Sequence, residues 1–473
     1  MKTSEPSEPV VGEGDAALAD SLFVLPPPEG SARSLARGWL LLALWSLVGA
    51  GLVVILVVLA RTPVIHDLIP WTGSFKTALV IHVDLSVLVW FLAFAGLLGS
   101  LVIPPERVGR GFFGLGLATL GALILPFAPF LGVDAPFMNN YVPVLENGAF
   151  FVGLGLFIGG FLFMAGQLLR IPAATGALPV AGRALRFGLQ SGMAIAWLAA
   201  LIGLWTRLAV PIPAEAQFRE NWYEILFWGA GHVLQFTHTQ LLIVVWLWLA
   251  TLAGFLPRPW PRLAFFALGL GFLPVLSVPA IHLLVTPIDG VANRIAYSEL
   301  MRFGNGLATL PVGFALIFAG VVYFDVTRPE HRPQRVAMFL SLLLFGVGGV
   351  IGYLIQGVNV TIPSHYHGSI VAITLAYMGL TYHLLPHLGW RRPDATWSTW
   401  QLYLYGGGSL LHVAGLALAG VYGIQRKTAG AEQHLKTLPE KFAMACTGLG
   451  GALAVIGGIL FLVLTIRAFR QRG

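Results

Sequence analysis

The sequence predicts an all-α, polytopic membrane protein of twelve transmembrane helices, and three observations carry that prediction. The 473 residues are 57% hydrophobic and 10% charged, with a mean hydropathy of +0.80; a water-soluble chain of this length has no interior large enough to hide so much apolar surface. Apolar runs of about 20 residues, the length that crosses a bilayer, recur along the whole chain. The runs lack the apolar–polar alternation of barrel strands, which leaves helices as the way to satisfy the backbone in lipid.

Taken in order, residues 1–37 are polar, acidic and rich in Pro and Gly, and read as a flexible cytoplasmic N-terminal tail rather than a signal peptide. Spans follow at about 38–60, 77–102, 111–131, 149–169, 187–209, 224–252, 263–286, 306–325, 336–356, 363–386, 400–423 and 442–467. They make one membrane domain, 38–467, with a short cytoplasmic tail, 468–473. No internal repeat is evident, and a polar stretch around Asn139-Asn140-Tyr141 divides the third and fourth spans. With the N-terminus inside, the inner segments hold 18 of the 28 Lys and Arg, which places both termini in the cytoplasm. Four of the remaining ten lie in the last outer loop, an exception that calls for a reason.

Composition also excludes some chemistry. The single cysteine, Cys446, rules out an internal disulfide, a Cys-x-x-Cys-His heme attachment and a two-cysteine copper center, so any such center belongs to another subunit. The net charge of +7 is spread over short loops and gives no reason to expect nucleic acid.

The stretch Pro363-Ser364-His365-Tyr366-His367-Gly368 opens the tenth span. Residues i and i+2 of a helix point about 200° apart, so the two imidazoles face opposite sides. One metal cannot easily use both, but two large cofactors can. His82 in the second span, His232 in the sixth and His282 near the end of the seventh fall at the same outer depth. Singly, each reads as a hydrogen-bonded core histidine. On four helices at one level they read as metal ligands, because ionisable groups within spans are costly and neutral imidazole binds heme iron and copper.

Arg426 and Lys427, just past the eleventh span, supply two cations at that level. They suit the propionates of a heme, or else form a snorkelling pair. Gly231 and Gly368, beside the histidines, permit close approach of a macrocycle or of another helix. Asp84 reads equally as a proton-path group and as a side chain reaching the outer water. His412 reads as a core residue, His238 lies about 240° round and about 9 Å deeper than His232 and so is a poor replacement ligand, His383 and His387 lie toward the inner surface, and His66, His331 and His434 read as loop residues.

These residues together resemble the catalytic subunit I of the heme-copper oxidase superfamily. They are His82, Trp228-Gly229-Ala230-Gly231-His232, His365-x-His367 and Arg426-Lys427 on a twelve-span chain. His82-Val83-Asp84-Leu85, and Tyr382-His383-Leu384-Leu385-Pro386 after His367-Gly368, lean toward the C-type heme b oxidases and nitric oxide reductases.

The resemblance implies that His82 and His367 ligate a low-spin heme and His365 a high-spin heme, both of b type. It implies that His232 and His282 hold a second metal, copper or non-heme iron. It implies a respiratory oxidoreductase like cytochrome c oxidase: electrons arrive from cytochrome c or quinol through a subunit carrying copper or heme c, and dioxygen is reduced to water with proton uptake. The setting it implies is a bacterial inner (plasma) membrane.

Three positions depart from the pattern. Ile281 stands where a second histidine is usual, Phe236 where a tyrosine or glutamate is usual, and Thr309–Phe314 lacks a lysine of one known proton route. Gln235 is the polar side chain next to Phe236. The same scaffold could reduce nitric oxide to nitrous oxide. A twelve-helix transporter without heme is the reading from another class.

Overall fold

The computed structural model describes residues 22–61, 72–132, 135–170, 178–255, 260–322, 329–428 and 430–470. Among them are twelve helices long and apolar enough to cross a membrane. They are α1 Gly30–Leu59, α2 Phe75–Ser100, α3 Pro105–Phe130, α4 Gly148–Leu169, α5 Val180–Ala209, α6 Ala216–Leu252, α7 Trp260–Leu284, α8 Val291–Val322, α9 Pro329–Tyr353, α10 Thr361–His387, α11 Ala395–Val421 and α12 Leu438–Arg470. Their number and order are those of the predicted spans. Residues 1–21 of the expected tail, residues 471–473 and His66 lie outside the described residues.

Two boundaries differ from the sequence reading, each for a physical reason. The expected tail is already anchored at Phe23, whose side chain is fully buried and whose N–H donates to Thr251 Oγ1 at 3.1 Å. The first helix begins at Gly30 because its early arginines have inner partners: Arg33 Nε donates to the Pro28 carbonyl and Arg37 Nε to that of Leu388. The eighth span begins at Val291 rather than 306, since a polar helical segment, Val291–Gly304, leads into it. Arg294, Glu299 and Arg302 hid that segment from a reading by hydropathy.

Neighbouring helices pack in pairs, α3 on α4, α5 on α6, α9 on α10 and α11 on α12. Lipid tails are as apolar as leucine, so close contact through small residues drives such pairing. At the α9–α10 contact a Cβ on Gly368 would fall 2.6 Å from the Gly348 Cα, so only glycine fits. Gly368 therefore serves helix packing, the plainer of its two readings. Helices α6 and α10 are the most enclosed, with 89% and 83% of their apolar windows buried, against 28% for α7. Helices α6 and α10 thus stand at the middle of the bundle and α7 at its rim, although His282 of α7 is itself only 1% exposed.

Outside the helices, a small antiparallel hairpin joins β1 (Pro136–Phe137) to β2 (Val144–Leu145). Asn147 then caps α4, its side chain accepting from the Phe150 N–H at 2.7 Å, a contact worth about 1 kcal/mol. Arg219 of α6 pairs with Glu146 at 2.8 Å and Tyr223 donates to the same carboxylate. The hairpin is thereby tied to the outer end of α6.

Candidate functional site

A cavity of about 1520 Å³ runs through the bundle. It exceeds the roughly 300–1,000 Å³ of a pocket for one small molecule, which suits two large flat groups better than one compact ligand. His82, His232, His365 and His367 line it, as do Arg426 and Lys427. The structure thus brings together six of the seven residues singled out for the site. His282 is not on the wall of the cavity.

The imidazoles on α2 and α10 share one arrangement. His82 Nδ1 lies 3.2 Å from the Ala50 carbonyl, His365 Nδ1 2.7 Å from that of Gly348, and His367 Nδ1 2.7 Å from that of Pro363. A carbonyl only accepts, so each ring carries its proton on Nδ1 and keeps the lone pair on Nε2. Imidazoles that bind metal are commonly oriented in this way by an outer partner. Nothing bulkier than glycine fits behind His365, because a Cβ on Gly352 would sit 2.7 Å from its Nδ1. The donor chemistry, the orientation and the size of the cavity all fit heme.

His412 joins this set, although the sequence reading placed it among core residues. It lines the cavity, its ring centroid is 4.9 Å from that of His367, and its Nδ1 is bonded to the Thr447 carbonyl at 2.8 Å. The missed signal was level: Ser364 Oγ donates to the Val413 carbonyl, so His412 stands beside the first turn of α10. Asp84 is 1% exposed, and neither carboxylate oxygen has a partner among the described residues, so it does not reach the outer water. It opens a π-helical stretch, Asp84–Val89, within α2.

The cations after α11 are held by the hairpin. Lys427 bonds to the Met138 carbonyl and Arg426 to the Asn140 side chain, which also meets Glu224 of α6. Burial, with Arg426 beside it, pulls the Lys427 ammonium down to about 8. Lys427 also adopts a left-handed backbone, φ 61°, a conformation uncommon outside glycine. These contacts account for two of the four positive charges that the sequence reading puts in the last outer loop: Arg426 and Lys427 line the cavity and bond to the hairpin segment.

The α6–α7 side is built differently. His232 Nδ1 is 2.7 Å from the Trp228 carbonyl, and its Nε2 is 2.9 Å from the Tyr141 hydroxyl. Gly231 makes room for that phenol, since a Cβ there would fall 2.1 Å from Tyr141 Cγ. Gly231 is therefore occupied by a tyrosine rather than by a macrocycle. His282 Nδ1 is 3.0 Å from the Tyr297 hydroxyl, its ring meets Trp205 at 5.0 Å, and its buried Nε2 has no partner among the described residues. Tyr297 touches both rings, at 6.5 Å from His232 and 6.2 Å from His282.

Phe236 is 1% exposed in the same apolar cluster, while Gln235 faces the cavity. Among the described residues no group of three or more His, Cys, Asp or Glu side chains is arranged to hold a metal ion. Two separated imidazoles fall short of the three protein ligands usual for an open metal site, so the donors here do not fit a second metal as those of α2 and α10 fit heme.

Comparisons with known proteins place this geometry. No family model matches the chain. An uncharacterized protein of Rickettsia prowazekii is 29% identical, covering 91% of this chain and 94% of that protein. One from Aquifex aeolicus is 29% identical over 74% of this chain and 85% of its own length. Cytochrome c oxidase subunit 1 of Thermus thermophilus is 25% identical over 85% of this chain and 76% of that protein. A heme-copper terminal oxidase solved as a dimer by cryo-electron microscopy superposes with a TM-score of 0.72 at 17% identity, covering 94% of this chain and 85% of that one. The resemblance read from the histidines thus holds at the level of fold: this integral membrane protein is a twelve-helix bundle with the fold of a heme-copper terminal oxidase subunit I.

Proposed function

We propose that the chain is the heme-bearing catalytic subunit of a respiratory terminal oxidase that reduces dioxygen, and that its histidines would hold two hemes. The observation that carries this reading is the set of cavity-lining imidazoles on α2 and α10, each fixed by a backbone carbonyl at Nδ1.

His82 and His367 would hold the first heme, and His365, facing the other side of α10, the second. Bound heme supplies the one-electron chemistry that no side chain of this protein can. The protein's own part is to orient the imidazoles, to enclose the site within apolar helices and to set cations at its outer edge. Arg426 and Lys427 would neutralise heme carboxylates. Electrons would arrive from cytochrome c or quinol through a partner subunit with copper or heme c, since one cysteine cannot build either center. A bacterial plasma membrane with both termini inside fits the Lys and Arg distribution.

The test is a reduced-minus-oxidised spectrum of the purified protein with heme analysis, followed by carbon monoxide. Two b-type hemes are expected, one of them shifting with carbon monoxide, together with oxygen consumption on addition of a reductant. Nitric oxide consumption without oxygen consumption would transfer the same site to nitric oxide reduction. Protein from a heme-replete host that carries no heme would overturn the proposal and return the bundle to transport.

A further inference from the structure

On the α6 side of the cavity one tyrosine does what the sequence gives no reason to expect. Tyr141 belongs to the outer hairpin, not to a membrane helix, yet its hydroxyl lies 2.9 Å from His232 Nε2. The Trp228 carbonyl at 2.7 Å can only accept, so His232 carries its proton on Nδ1. The lone pair on Nε2 is then the acceptor, and Tyr141 is the donor. That lone pair is the one a metal would need.

The tyrosine is also locked in place. Gly231 leaves the space its ring fills, and Trp228 meets the ring edge-on at 6.0 Å. The segment leading into it is held as well, with Met138 and Asn140 bonded to Lys427 and Arg426. A single hydrogen bond would yield to a strongly bound metal; the number of donors would not. Beyond His232 the nearby imidazole is His282, which is off the cavity wall with Nδ1 bonded to a second tyrosine, Tyr297. Position 281, where a further imidazole could stand, is isoleucine.

We propose that Tyr141 takes the place of a second metal on His232, so that the cavity is closed on the α6 side by a tyrosine–histidine pair and the protein binds neither copper nor non-heme iron there. This goes beyond the proposed function: it concerns the metal content of the site, and it stands or falls whether the substrate is dioxygen or nitric oxide.

The experiment is metal analysis of the full chain, purified from cells grown with added copper and iron and set beside its heme content. The expected result is heme iron alone, with neither copper nor iron beyond the heme. One copper or one non-heme iron per chain, lost in His232→Ala with heme retained, would overturn the proposal. A chain without heme would count against the proposed function instead, and its copper content would still decide this question.

A gain-of-binding variant guards against incomplete loading. Tyr141→Phe with Ile281→His frees the His232 lone pair and adds a third imidazole, and is expected to raise copper retention through purification above that of the parent. A parent that retains copper as well as the double variant does would equally sink the idea. Infrared spectra of the carbon monoxide complex give a further reading. After photolysis at low temperature, a carbon monoxide stretch on copper is expected to be absent from the parent.

Discussion

The two sides of the cavity use the same side chain in opposite ways. On α2 and α10, backbone carbonyls hold Nδ1 of imidazoles that line the cavity. On α6, a carbonyl again holds Nδ1, but a phenol has taken the lone pair. On α7 a phenol holds Nδ1 of an imidazole that is off the cavity wall. The difference teaches that the position of a histidine in a helix does not define a ligand; the partner of its other nitrogen does. Enclosure does not follow that division, since α6 and α10, one on each side, are the most buried helices at 89% and 83%, and α7 is the least at 28%.

The largest effect should come from removing one imidazole on the α10 side. His365→Ala is expected to take the protein from two hemes to one, to abolish the carbon monoxide shift and to reduce turnover to background, read by heme analysis and difference spectra. His282→Ala should leave both hemes in place. If the two variants lose heme alike, the contrast between the sides is broken.

Next come the glycines, one on each side. A Cβ at Gly352 would lie 2.7 Å from His365 Nδ1, and one at Gly231 would lie 2.1 Å from Tyr141 Cγ. Alanine at either should cost about 1–3 kcal/mol through overpacking, seen as a lower melting temperature in detergent. Only Gly352→Ala should also alter the spectrum of the carbon monoxide-binding heme. A spectral change of equal size in Gly231→Ala would show that the α6 side orients that heme too.

A smaller effect is the loss of the tie between α10 and α11. Ser364→Ala removes the bond to the Val413 carbonyl and should cost about 1 kcal/mol, measured by the same melting curve.

Lys427 gives the finest probe. It is charged below about 8 and neutral above. A cation beside a heme favours the reduced, less positive state, so the midpoint potential of that heme should fall as pH rises through about 8. The size should be on the order of 1 kcal/mol for charges about 10 Å apart at an effective dielectric constant near 20. Lys427→Met should flatten the curve. A potential that rises with pH across this window would remove Lys427 from the site.

Much of this was legible in the sequence. Twelve apolar runs fixed the number and order of the helices, because crossing a bilayer takes a length that no other requirement imposes. The spacing of His365 and His367 gave their opposite facing, and depth along four helices grouped the histidines. His412 escaped because depth was judged from the middle of its own helix rather than from the neighbour it packs beside. The segment at Val291–Gly304 escaped because its charges lower hydropathy without disturbing helix geometry. Both are facts about partners rather than about runs of residues.

The sequence by itself determined the class, the number and order of the helices and most of the imidazoles that line the cavity. Those follow from periodicity and length, which are local and additive along a chain. What only the tertiary structure decided is what each imidazole faces. Tyr141 is 91 residues from His232, and Gly348 is 17 from His365. A hydrogen bond between such groups depends on the approach of two separately folded elements to within a few tenths of an ångström, and no local pattern encodes that distance.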